Sequence, residues 1–129
     1  MTTCSGMKLA TGALGLAMGL VATPALADCS GPPFYWRFQG ETVDNQRDLV
    51  GDDACHFRFS AGGTNTFRSA EVAVRPKHGV LGKSNLFDFA YIPTKGYVGT
   101  DTGSIKICGT TYDKEGCSIL RFTFVMHAK

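Results

Sequence analysis

Near its C-terminus the chain places Leu120, Phe122, Phe124 and Met126 at every second position, with Arg121 and Thr123 between them. A period of two sends the first set to one face of an extended strand and the second to the other. The same rhythm recurs in Phe34, Trp36 and Phe38 against Tyr35 and Arg37, and in Cys55, Phe57 and Phe59 against His56, Arg58 and Ser60. It recurs again in Ala70, Val72 and Val74 against Glu71 and Ala73, and residues 80–81, 86–92, 105–108 and 118–127 complete the series. Gly31, Pro32 and Pro33 precede the first run, Gly62 and Gly63 stop the second, and Pro76, which cannot donate to a ladder, ends the third. Residues 41–53 are polar apart from Val43, Leu49 and Val50, and read as a loop with room for one short strand. No segment after residue 27 spaces its apolar residues as a helix would. About seven short strands separated by turn signals predict an all-β sandwich.

At 129 residues the chain has the size of one domain. Hydrophobic residues make up 43% and charged residues 19%, too apolar for a disordered chain and too mixed for a membrane bundle. The first 27 residues have the layout of a cleavable secretory signal. Lys8 precedes the uncharged run 9–22, and Ala25 and Ala27 predict cleavage before Asp28. That run is too short to cross a bilayer comfortably, so no membrane span is expected after its removal. A start at Met7 would leave Cys4 outside the product, and Asp28 directly before Cys29 argues against lipidation there. Two segments are therefore expected, a signal peptide at 1–27 and one domain at 28–129, with the product periplasmic or secreted.

Without Lys8 the formal charge of +2 falls to +1, which gives no clustered basic footprint for nucleic acid. Four cysteines remain, Cys29, Cys55, Cys108 and Cys117, and an even number in an exported chain reads as disulfides. Three pairings are possible, and local geometry favours one. Strands over 104–108 and 117–126, joined by a turn-rich loop over 109–116, bring Cys108 and Cys117 to the same outer face of one hairpin. Pairing them directly sets Ile105 opposite Leu120, an apolar cross-strand contact. Cys29 then joins Cys55 by elimination. No CxxC spacing supports a metal site, and no metal or other cofactor is expected.

Residues 74–101 hold Pro76 and Gly79, then Phe89, Tyr91 and Pro93, then Gly96, Tyr97, Gly99 and Asp101. This pattern resembles the bacterial Ig-like or cadherin-like repeat over roughly half of the domain. The resemblance implies a Greek-key Ig-like sandwich and says little about activity. Pro76 and Gly79 would bracket a hairpin turn in which the glycine takes a positive φ. Phe89 and Tyr91 would share a strand face, Tyr97 would cover one end of the sandwich, and Asp101 would accept backbone N–H bonds in the turn after Gly99. Three features depart from the pattern: Gly103 where an aromatic is usual, a single copy, and no acidic linker motif. Calcium is therefore not carried over.

No catalytic constellation stands out. His56, His78 and His127 sit where strand or turn polarity explains them, and no nucleophile elbow is present. Asp52 and Asp53 are adjacent, so in an extended chain they point apart. Two surfaces remain as candidates. Tyr35 and Trp36, with Phe34, offer an aromatic platform, against the plainer reading that Phe34 and Trp36 fill the core. Arg75, Lys77 and His78 form a basic hairpin tip, either a solvated turn or a contact for an anionic envelope polymer. The expectation is a non-catalytic exported domain that binds an envelope or extracellular protein or glycan. The alternative is a small periplasmic enzyme or enzyme inhibitor with its site in the 41–53 or 109–116 loop.

Overall fold

A computed structural model describes residues 29–129, so the signal peptide expected at 1–27 lies outside the described residues. Seven strands follow in order: β1 (Thr42–Val50), β2 (Cys55–Arg58), β3 (Asn65–Val74), β4 (Gly79–Lys83), β5 (Asp88–Pro93), β6 (Gly99–Thr111) and β7 (Lys114–His127). One sheet has the order β1-β7-β6-β3 and the other β2-β5-β4. The β2-β5-β4 and β7-β6-β3 orders are those of an immunoglobulin-type Greek-key sandwich. Strand β1 joins the larger sheet by running parallel to β7, while all the other pairings are antiparallel.

The β6–β7 hairpin keeps the expected register, with Ile105 opposite Leu120 and Cys108 opposite Cys117. Both cysteine pairs form as expected, Cys29 with Cys55 and Cys108 with Cys117. Such bonds belong to an oxidising compartment. The two sheets meet through stacked rings. Phe57 of β2 lies 4.8 Å from Phe122 of β7, and Tyr91 of β5 lies 3.9 Å from Phe124, both pairs nearly parallel. Leu49, Ile105, Ile107, Leu120 and Met126 fill the space around them. Among the described residues no helix is long and apolar enough to cross a membrane.

Several local expectations are corrected. The segment 34–38 alternates as read, with Phe38 buried and Tyr35 80% exposed, but forms no strand. Its backbone is held elsewhere: Arg37 and Gln39 donate N–H bonds to the Glu41 carboxylate, and Phe38 N donates to Ser118 Oγ at 2.9 Å. The polar 41–53 stretch contains the nine-residue strand β1. Its inward positions are Val43, Asn45, Arg47 and Leu49, two of them polar, which hides the strand from a hydrophobicity pattern. The 109–116 loop is mostly strand, because β6 runs to Thr111 and β7 starts at Lys114. Gly109 and Gly116 face each other there not as turn formers but as gaps. A Cβ on Gly116 would lie 1.9 Å from Phe38 O, and one on Gly109 would lie 2.8 Å from the Phe38 ring.

On β3, register shifts between Phe67 and Ser69 and between Val72 and Val74 change which residues point inward. Phe67 and Val72 therefore both pack on the core, while Val74 is 56% exposed. Cys108, expected on an outer face, is buried, and so is Ser104 on the same central strand.

Candidate functional site

The two surfaces singled out in the sequence lie at opposite ends of β3. The ten-residue strand, ~30 Å from end to end at the usual rise, separates Asn65 from Val74.

At the Val74 end the basic tip closes over a buried carboxylate. Asp101 on β6 is 5% exposed, and both of its oxygens are used. Oδ1 accepts the N–H groups of Lys77 and Thr102 at 3.0 Å each. Oδ2 accepts His78 N at 2.9 Å and the Tyr91 hydroxyl at 2.7 Å. Burial alone would raise this carboxyl, but the four bonds together hold it below its ordinary value. Burial first, then the bond to Asp101, pushes the Tyr91 hydroxyl well above the ordinary tyrosine range. Asp101 thus accepts backbone N–H bonds as the resemblance implied, but two of them come from the β3–β4 connection rather than its own turn.

The neighbouring motif residues complete this end. Tyr97 stacks on His78 with ring centroids 4.1 Å apart, and its hydroxyl donates to Thr100 O at 2.9 Å. Phe89 and Tyr91 are both buried on one face of β5, which ends at Pro93. Gly79 does not take the positive φ expected of it. Its role is clearance, since a Cβ there would lie 2.7 Å from the Tyr91 ring. Pro76 packs over Gly103, where a Cβ would approach its ring to 3.0 Å, so the departure at Gly103 provides the seat for that proline. Gly96 N donates to Asp52 Oδ1 at 2.8 Å, which gives Asp52 a structural partner.

At the Asn65 end the chain opens into a groove of about 480 Å³, within the size range of small-ligand sites. Its floor is aromatic: Phe34, Trp36, Phe38 and Phe59 pack edge-on or tilted, with centroids 5.5–6.3 Å apart. Trp36 also stacks on Phe67 at 6.0 Å. The plainer reading therefore holds for Phe34 and Trp36 in part, since both are half-buried against the core yet still line the groove. Tyr35 stands out into solvent at the groove wall.

The polar lining comes from Arg47, Arg58, Ser60 and Asn65, with no acidic side chain among the lining residues. Arg58 is committed to Asp88 by two bonds, Nε to Oδ1 at 2.7 Å and Nη2 to Oδ2 at 3.0 Å. Arg47 differs. It points inward from the edge strand β1, sits 5.4 Å from the Phe34 ring centre, and gives Nη2 to Pro32 O at 3.1 Å and Nη1 to Gly31 O at 3.3 Å. Its Nε is buried without a hydrogen-bond partner, and among the described residues no carboxylate pairs with it. Burial lowers its basicity, but a guanidinium remains charged throughout the physiological range.

Backbone strain gathers at this end as well. The two non-glycine residues with positive φ among the described residues are Phe38 and Tyr112, both at 58°. Aromatic residues seldom adopt this conformation, and it persists only where surrounding structure enforces it. Tyr112, 76% exposed, tips the β6–β7 hairpin beside the groove segment, where Thr111 Oγ1 lies 2.9 Å from Arg37 O.

Tyr35 and Trp36 are legible in the sequence as surface candidates, whereas Arg47, Arg58 and Phe59 are not. The missed signal was Arg47 at an inward position of an alternating run, visible only once 42–50 is recognised as a strand. The three histidines are dispersed, with His56 on β2, His78 at the tip, and His127 Nε2 3.0 Å from Asp48 Oδ1. Among the described residues no group of three His, Cys, Asp or Glu is arranged to hold a metal ion.

No protein-family model matches the sequence, and no curated protein does. Among solved structures, the chain is similar to a sialyltransferase from Photobacterium damsela (TM-score 0.40, 16% identity, 67% of this chain and 18% of that one). It is also similar to an endo-fucoidan hydrolase of glycoside hydrolase family 107 (TM-score 0.41, 10% identity, 70% of this chain and 14% of that one). The chain spans less than a fifth of either enzyme.

Proposed function

We propose that this chain is an exported, non-catalytic Ig-like domain, related to the bacterial Ig-like or cadherin-like repeats, that binds an envelope or extracellular protein or glycan through the aromatic groove. The leader-like sequence at 1–27 and the two disulfides support export to the periplasm or beyond. One observation carries the choice of surface: Tyr35 is 80% exposed beside a groove that contains an arginine with no acidic partner among the described residues. The basic tip is the weaker candidate, because its backbone N–H groups are spent on Asp101 and His78 is stacked on Tyr97. The enzyme or inhibitor alternative has its site in the 41–53 or the 109–116 loop, and most of each is regular strand.

The test is retention of the disulfide-bonded protein on immobilised envelope polysaccharides and extracellular proteins from its host. Retention that falls at least tenfold with Tyr35→Ala and is unchanged by Lys77→Ala is the expected result. Retention that follows Lys77→Ala and ignores Tyr35→Ala would move the binding surface to the tip.

A further inference from the structure

Groove chemistry narrows the class of ligand. The exposed ring of Tyr35 and the half-buried rings of Phe34 and Trp36 offer flat apolar faces of the kind that pack against the C–H faces of a sugar. Charge narrows the class further. The lining holds two guanidinium groups and no carboxylate, and Asp88 offsets only Arg58. Arg47 therefore contributes an uncompensated positive charge in partly desolvated surroundings, where an incoming anion gains more than it would in water. Arg58 gives Asp88 only Nε and one Nη2 hydrogen, so its Nη1 group remains available to a ligand oxygen.

A peptide added as an extra strand fits this place poorly. The 34–38 segment is not a strand, and three of its nearby N–H groups are taken by Glu41 and Ser118. The adjoining edge of β1 is bridged by Ser30, which exchanges both backbone bonds with Asp48 at 3.1 and 2.9 Å.

We infer that the groove takes an anionic saccharide, with a sugar ring against Tyr35 and Trp36 and a carboxylate or sulfate group held by the arginines that line it. This rests on the reading of the groove as the binding surface and goes further by naming the ligand chemistry. Calorimetric titration of the disulfide-bonded protein with three oligosaccharides of equal length tests it: an oligogalacturonate, a sulfated galactan oligomer and a neutral galactan oligomer. At least one anionic oligomer is expected to bind tenfold or more tighter than the neutral one. That preference should shrink as salt is raised. Tyr35→Ala is expected to weaken the anionic complex at least tenfold. Arg58→Gln, at a largely exposed side chain, is expected to reduce the anionic preference. Carboxylate and sulfate oligomers distinguish which acid the groove prefers.

Neutral and anionic oligomers binding equally, both lost with Tyr35→Ala, would overturn the anionic inference and leave the groove as the binding surface. No binding by any of the three, with a Tyr35-dependent partner still retained from the host fractions, would overturn the saccharide assignment alone. Anionic binding indifferent to Tyr35→Ala would overturn both.

Discussion

The two ends of the sandwich both carry aromatic and basic side chains, yet they treat their polar groups in opposite ways. At the tip, a buried carboxylate collects four donors and leaves none of its oxygens idle. At the groove, an inward arginine keeps a buried Nε without a partner, and a tyrosine stands in solvent. Satisfied buried polar networks rigidify a fold, whereas an uncompensated group calls for an explanation beyond stability. The tip is thus the fastening that holds the β3–β4 connection to β6. The groove is the part of the molecule whose chemistry is incomplete by itself.

If the tip is a fastening, removing its centre should cost the most. Asp101→Ala removes the acceptor shared by the Lys77 and His78 N–H groups in a part-buried site and leaves the Tyr91 hydroxyl only His78 O at 3.3 Å. It should destabilise the fold by ~3–5 kcal/mol in urea unfolding. A loss under ~1 kcal/mol would reduce the tip to an ordinary solvated turn.

Gly116→Ala probes the groove from beneath. The new methyl would collide with Phe38 O, so the segment must shift, at a cost of ~1–3 kcal/mol. Groove binding should weaken along with stability. Gly82→Ala, where a Cβ meets nothing within 4 Å, is the control and should change stability by less than ~0.5 kcal/mol.

The ends should also differ in their response to pH. The Asp101 carboxyl is depressed in the fold, so the folded protein binds fewer protons there than the unfolded chain. Its stabilisation is complete above the unfolded value of ~3.9 and is lost as the pH falls toward the folded value. Tyr91 is raised, so its contribution is complete below ~10 and fades as the pH rises beyond that. Stability measured across pH should lose part of its acid-side slope in Asp101→Asn, while a groove variant keeps the slope of the parent.

The smallest expected change in stability belongs to Tyr35→Ala. At 80% exposure the ring contributes little to packing, and the variant should unfold within ~0.5 kcal/mol of the parent while losing ligand. A large loss of stability would make Tyr35 part of the fold and blunt the contrast between the ends.

Much of this fold was legible because one face of a strand repeats every second residue. The β7 pattern fixed its inward set, and direct pairing of Cys108 with Cys117 predicted Ile105 opposite Leu120, as found. What escaped depended on distant partners. Strand β1 pairs in parallel with β7, more than seventy residues away in sequence, and fills two of its four inward positions with Asn45 and Arg47. Residues 34–38 carry a strand's alternation without a strand's hydrogen bonds, because side chains of Glu41 and Ser118 take the N–H groups a neighbouring strand would use. Gly109 and Gly116 looked like turn residues because sequence shows that a side chain is missing, but not what fills the gap. The groove inherits these failures. Its aromatic half was visible locally, but its cationic half required knowing that β1 is a strand and which way Arg47 points.

The most direct test is a backbone amide chemical-shift map of the protein titrated with the anionic oligosaccharide that binds it best. The largest shifts are expected at residues 34–38, 47 and 58–65, with residues 75, 77–79 and 97–101 unmoved. Shifts concentrated at 75, 77–79 and 97–101, with the groove silent, would contradict the groove as the binding surface.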